Sequence, residues 1–109
     1  MKTYDIFHGY TLISEIGKEL SKIIINEKSS FKILTGYGSK TGFSKSKQAA
    51  LRSLAKIKKE GLIKGYFPGE VKDQLLSESS PYYDSKIQFE ASVRKDKDYG
   101  NDGIIFIFK

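Results

Sequence analysis

The segment from Thr35 to Gly42, TGYGSKTG, has the composition of an anion-binding loop. Its glycines permit positive φ angles and let a ligand approach the backbone closely. The segment follows four β-forming residues and precedes a predicted helix, so successive amides and the helix N-terminus would form a phosphate site. Three lysines would add positive charge there: Lys40, Lys45 and Lys47. The loop residues predicted to bind nucleic acid are Thr35, Gly36, Tyr37, Gly38, Ser39, Lys40 and Gly42.

Four interpretations of this loop compete. A P-loop needs four residues between its glycines and then Lys-Ser/Thr, whereas five residues separate Gly36 from Gly42 and Phe43 follows. The dinucleotide fingerprint also fails, because the spacing is G-x-G-x-x-x-G and no acidic residue stands near position +20 ahead of a further strand. A nucleic-acid backbone uses more of the sequence, with Tyr37 stacking on an unpaired base or folding back onto the sheet. The fourth interpretation is a structural connection with incidental lysines.

The helix predicted from Ser44 to Glu60 extends this positive charge. At 100° per residue its apolar side chains share one side, with Ala50, Leu54 and Ile57 in line. The opposite side carries four cations within an arc of roughly 60°. These are Lys45, Arg52, Lys56 and Lys59. The helix is therefore predicted to bury one face and to present a cationic face to solvent.

The distribution of charge along the chain also points to the glycine loop and the helix that follows it. Residues 32–64 hold nine basic residues and one acid, a net of +8, so the rest of the chain sums to −2 against the total of +6. Binding to a polyanion is one interpretation of this concentration of charge. A solvated, lysine-rich surface is the other.

Composition excludes several other classes of protein. A hydrophobic fraction of 39% and a charged fraction of 29% are typical of a globular chain. The absence of cysteine excludes disulfides and thiolate metal sites. No apolar run reaches the roughly 18 residues of a membrane span, and the first ten residues do not resemble a secretory signal. A cytoplasmic location is the expectation.

Hydrophobic periodicity predicts the elements that position the loop. KTYDIF (2–7) is predicted to form a strand, 11–27 a helix with Thr11 as N-cap, and FKIL (31–34) a buried strand. Gly61 suits the left-handed position after the second helix. Residues 62–85 are predicted to be an irregular insertion. KIQFEASVR (86–94) alternates strictly and predicts a strand, which would pair as a hairpin with IIFIFK (104–109).

The predicted order is β-α-β-α-β-β, in one domain over residues 1–109. Right-handed crossovers would place both helices on one face of a mixed four-stranded sheet, giving an α/β fold of the two-layer α+β sandwich type. The glycine loop then lies at the carboxyl end of the second strand, where open α/β sheets bind ligands.

Three short segments together resemble the Smr (small MutS-related) domain family. DIFHGYTLISE resembles the family's Asp-x-His-Gly segment and the acidic residue of its first helix; TGYGSKTG matches its glycine motif; YGNDGIIFIF resembles its last turn and strand. The resemblance covers most of residues 4–61 and 99–108. It implies a βαβαββ fold and nucleic-acid binding, and several family members nick DNA or cleave RNA.

The resemblance also implies catalytic residues, but this sequence differs from the family pattern at several of the corresponding positions. His8 would be the acid or base, Asp5 its nearest carboxylate, and Lys40 a stabiliser of phosphorane charge. Asp5, however, stands three residues before His8 rather than two, Glu15 is displaced by one, and Thr35 replaces the family's second histidine. Threonine does not accept a proton near neutral pH, so endonuclease activity is left open. No cofactor and no metal cluster are predicted, and a divalent metal is an option only if the domain is a nuclease.

Three functions therefore remain as alternatives. The first is an Smr-like domain that binds the backbone of DNA or RNA, with cleavage undecided. The second is a non-catalytic module that binds RNA or the ribosome. The third is a protein-interaction domain whose charge serves solubility. No membrane partner is predicted, and the oligomeric state is undetermined.

Overall fold

The fold consists of helices packed on a mixed four-stranded sheet. A computed structural model describes residues 1–6, 13–35 and 45–109. In chain order its strands and helices are β1 (Lys2–Asp5), α1 (Ile16–Asn26), β2 (Phe31–Leu34), α2 (Lys45–Lys59), β3 (Gly65–Pro68), α3 (Tyr83–Val93) and β4 (Ile104–Phe108). Two 3₁₀ turns accompany them, Ile13–Glu15 and Gly69–Asp73. The predicted α/β class is confirmed.

The sheet has the strand order β1-β2-β4-β3. Strand β1 pairs with β2 in parallel, whereas β4 is antiparallel to both β2 and β3. Strands β1, β2 and β3 therefore run in the same direction, and their carboxyl termini lie at the same end of the sheet. Thr35, the residue that follows β2, lies at that end of the sheet.

Alternate residues of β4 divide the core between the two faces of the sheet. Ile105 and Ile107 pack with the buried sides of α1 and α2, and Ile104, Phe106 and Phe108 pack on the opposite face. All five side chains are buried, as the apolar run predicts for a strand covered on both sides. The sheet thus has an apolar layer on each face, rather than the single helical layer predicted.

The local sequence explains why α1 and α2 form and how they pack on the face of the sheet that carries Ile105 and Ile107. Helix α1 buries Ile16, Leu20 and Ile24, which recur every four residues. Helix α2 ends at Lys59 and is capped by Gly61 (φ 83°): the amide of Leu62 donates to Ile57 O, and that of Gly61 donates to Lys58 O. This pair of hydrogen bonds defines a Schellman cap and confirms the predicted role of Gly61.

The prediction of a strand over residues 86–94 is wrong, because this segment forms most of α3. Phe89 stacks on Phe108 of β4 with ring centroids 4.5 Å apart, and Val93 is buried on the same side. Phe89 and Val93 fit both the two-residue and the four-residue period, so alternation alone did not distinguish strand from helix. The predicted hairpin with residues 104–109 is accordingly absent, and β4 pairs with β2 and β3.

The prediction that residues 62–85 are irregular is also wrong in part. They include β3, whose four residues GYFP are all buried at the edge of the sheet. Helix α3 lies close to this strand at Gly65, where a Cβ would stand 2.6 Å from Ser85 Oγ. Ser85 Oγ in turn accepts a hydrogen bond from the amide of Tyr66. Within the described part of the chain, no helix is long and apolar enough to cross a membrane.

Lys32 of β2 is a buried charged residue on the face of the sheet that carries Ile104, Phe106 and Phe108. Its Nζ lies 2.8 Å from Asp96 Oδ1 and 2.7 Å from Asp98 Oδ2, and only 5% of its side chain is exposed. Burial by itself raises the pKa of Asp96, but hydrogen bonds from Lys32 Nζ and the Asp98 amide, together with the lysine charge, lower the pKa below its usual value. The two carboxylates attach the loop after α3 to the sheet.

We expect the ion pairs of Lys32 with Asp96 and Asp98 to make the free energy of unfolding depend on pH in the acid range. A carboxyl whose pKa is lowered by folding stabilises the protein above its unfolded pKa, about 3.9, and this contribution is lost as pH falls through the folded value. Replacing Lys32 by Met should lower the free energy of unfolding by about 2 kcal/mol at neutral pH, since two partly exposed carboxylates lose their partner. Urea titrations should show that this deficit shrinks below a pH of about 4. Lys97→Met, at the exposed position between the two aspartates, is the control. A deficit that stays constant with pH would contradict the assignment.

Candidate nucleic-acid interface

Four cations form an exposed line along α2, called here the cationic row. Its members are Lys45, Arg52, Lys56 and Lys59. All four are exposed, while Ala50, Leu54 and Ile57 on the opposite side of the helix are buried. None of the four forms an ion pair with another residue that the structure describes. Fourteen residue steps at 1.5 Å make the row about 21 Å long.

A groove between α1 and α2, the interhelical groove, borders the cationic row. It has a volume of about 590 Å³ and includes Lys56 of the row. From α1 it gains Lys18 and Lys22, both exposed. Three serine hydroxyls also line it, those of Ser14, Ser21 and Ser53. Ammonium and hydroxyl groups are common donors to phosphate oxygens, so the groove adds donors to the row, although Glu60 also lines it and Lys22 pairs with Glu19.

Close packing of the two helices forms the floor of this groove. A Cβ on Gly17 of α1 would lie 3.1 Å from Ser53 Oγ of α2. Lys18 and Lys22 were not among the predicted site residues, because the packing of α1 beside α2 brings together residues that are distant in the sequence. Their spacing of four residues, next to the Ile16–Leu20–Ile24 stripe, was the available signal.

Lys47 does not belong to the exposed surface to which it was assigned. Its side chain is only 5% exposed, and its Nζ donates to Glu70 Oε1 in an ion pair. Lys47 projects from a different side of α2 than Lys45, about 160° away around the helix axis, and faces the end of β3. With Lys32, it removes two charges from the nine that the sequence places between residues 32 and 64.

Thr35 is likewise buried, at 1% exposure. Its Oγ1 donates to Gly103 O at 3.0 Å, and its amide donates to the same oxygen at 2.7 Å. The predicted contact between its side chain and nucleic acid is therefore corrected: the hydroxyl fastens the end of β2 to the start of β4.

The remaining predicted residues divide into two groups. Asp5 is exposed at the carboxyl end of β1, in register with Leu34 of β2. His8 and the loop residues Gly36, Tyr37, Gly38, Ser39, Lys40 and Gly42 lie outside the described residues, so their predicted roles stay predictions. Over residues 1–6, 13–35 and 45–109, no group of three or more histidines and carboxylates is placed to hold a metal ion.

No protein-family model matches the chain, and comparisons with curated proteins and with solved structures find no significant match.

Proposed function

We propose that this chain is a nucleic-acid-binding domain that contacts the phosphate backbone through the cationic row and the interhelical groove. The observation that supports this most strongly is the row itself, in which four exposed cations of one helix form no ion pair with any residue that the structure describes. One strand of a duplex carries a charge every ~3.4 Å of its axis, so a row about 21 Å long faces about six phosphates. Nonspecific backbone contact of this kind fixes the position of a protein on the nucleic acid without reading its bases.

We further propose that the chain is an Smr-like domain and that it is located in the cytoplasm. The supporting observation is the element order: β1 to β3 alternate with α1 and α2, and a further strand follows, as in the family's βαβαββ arrangement. Helix α3 is an addition between the last two strands. The conclusion is binding rather than cleavage, because the hydroxyl of Thr35, which replaces the family's second histidine, is buried and donates to Gly103 O.

The salt dependence of binding tests this function. We expect a fluorescein-labelled duplex of about 20 base pairs to bind with log K falling linearly against log salt, at a slope of about −3.5, because four row cations each displace about 0.9 counterions. Fluorescence anisotropy between about 50 and 400 mM NaCl measures the slope. Negligible affinity at the lowest salt would overturn the proposal and favour a protein-interaction domain.

A further inference from the structure

A smaller cavity lies beside the Lys47–Glu70 ion pair, at the carboxyl end of β3. Its volume is about 210 Å³. Two side-chain amides, a phenol, two apolar side chains and the ion pair line it. They are Gln48, Gln74, Tyr82, Leu51, Pro68, Lys47 and Glu70. We call this cavity the amide pocket.

The amide pocket is close to neutral, unlike the cationic row. Glu70 compensates the charge of Lys47, so a phosphate gains little there. Burial, with the nearby Tyr66 and the charge of Glu70, raises the pKa of Tyr82 to about 12, which keeps the phenol neutral. Amides offer both donors and acceptors, and Glu70, whose side chain is 30% exposed, offers a further acceptor. Leu51, Pro68 and the ring of Tyr82 supply apolar surface.

These groups suit a nucleobase. A base has a polar edge with donors and acceptors and two apolar faces, and proteins bind unpaired bases through amides, carboxylates and aromatic rings. The volume lies below the roughly 300–1,000 Å³ of pockets for drug-sized ligands, and is suited to a single base.

The pocket adjoins the cationic row through one residue. Gln48 lines the amide pocket and also a cavity that it shares with Lys45 and Arg52. A strand whose phosphates contact the first half of the row is therefore within reach of the pocket with one of its bases. The two sites supply different parts of one ligand, because the row offers charge and the pocket offers neutral hydrogen bonds.

We propose that the amide pocket receives one unpaired base of a nucleic-acid strand whose phosphates lie on the cationic row. This inference rests on the proposed function and adds a preference for single-stranded or unpaired regions. It assigns to Gln48 and Gln74 the hydrogen bonds to the edge of the base.

An abasic ligand tests the pocket separately from the row. The probes are a labelled single strand of about 20 nucleotides and a strand of equal length in which every nucleoside is an abasic tetrahydrofuran residue, so that the phosphates are the same. We expect the protein to bind the base-containing strand about tenfold more tightly. In Gln48→Ala/Gln74→Ala this ratio should fall to about twofold or less. Gln88→Ala, at an exposed position on α3, should keep the original ratio.

Each result has a distinct meaning. Equal binding of both strands by the unaltered protein, with a steep salt dependence, overturns the base pocket and leaves backbone binding in place. A tenfold preference that persists in the double variant also overturns it, because the base is then bound elsewhere. Failure to bind either strand overturns the proposed function as well. Circular dichroism melting of both variants verifies that they are folded.

Discussion

Replacing Arg52 and Lys56 together by glutamate is expected to lower nucleic-acid affinity about 100-fold at roughly 100 mM salt. Both side chains lie in the middle of the cationic row, and Lys56 also lines the interhelical groove. The change removes two phosphate contacts and adds two repulsive charges. The slope of log K against log salt should become shallower by about 2, because two fewer counterions are released.

A matched variant separates this local effect from net charge. Lys95→Glu/Lys97→Glu changes the net charge by the same amount at exposed positions after α3, away from α2. It should reduce affinity by much less and leave the salt slope nearly unchanged. Comparable losses in the two variants would mean that overall charge, and not the row, attracts the polyanion. Losses in the first variant should also be similar for all sequences tested, since phosphate contacts carry no base information.

Replacing Gly69 by alanine is expected to lower the free energy of unfolding by about 3 kcal/mol, the upper part of the range for overpacked sites. Gly69 follows β3, and its carbonyl accepts a hydrogen bond from the amide of Gly100 at 2.9 Å. A Cβ there would lie 2.3 Å from Asn101 O. The obstructing atom belongs to the backbone, so no rotation of a side chain relieves the clash, and the 98–101 segment must move away.

Gly61→Ala provides the comparison for this prediction. Gly61 has φ of 83°, but a Cβ added there meets no atom within 4 Å. Its replacement should cost only about 1 kcal/mol, from backbone conformation alone. Urea or thermal unfolding of the two variants measures both values. A Gly69 variant as stable as the Gly61 variant would show that the 98–101 segment accommodates the methyl group, contrary to the close approach described above.

Local patterns were sufficient for those elements whose period is unambiguous. Helix α2, its glycine cap and the buried strands β2 and β4 follow from spacing, burial and one φ requirement. Strand β3 was missed because four residues bounded by Gly65 and Pro68 resemble a turn, although proline is tolerated at a sheet edge. Helix α3 was missed because its stability depends on Phe89 stacking on Phe108, a contact that the local sequence does not contain.

In the candidate interface, too, the features set by local sequence were predictable and those set by long-range contacts were not. The four members of the cationic row were predictable because angles around one helix are a local property. The burial of Lys47 and Lys32 was not, since their partners Glu70 and Asp96 are 23 and 64 residues away along the chain. The position of Lys32 in an apolar strand was still a clue, because a lysine in a strand covered on both faces requires an acidic partner.

The position of β4 between β2 and β3 also bears on how the protein acquires its structure. Residues 31–34 and 65–68 have no shared neighbour until residues 104–108 arrive between them. Strands β1 and β2 pair directly with each other, whereas β3 joins the same sheet only through β4. Pairings over such long sequence separations favour slow folding, because the long intervening loops must close before the strands can pair.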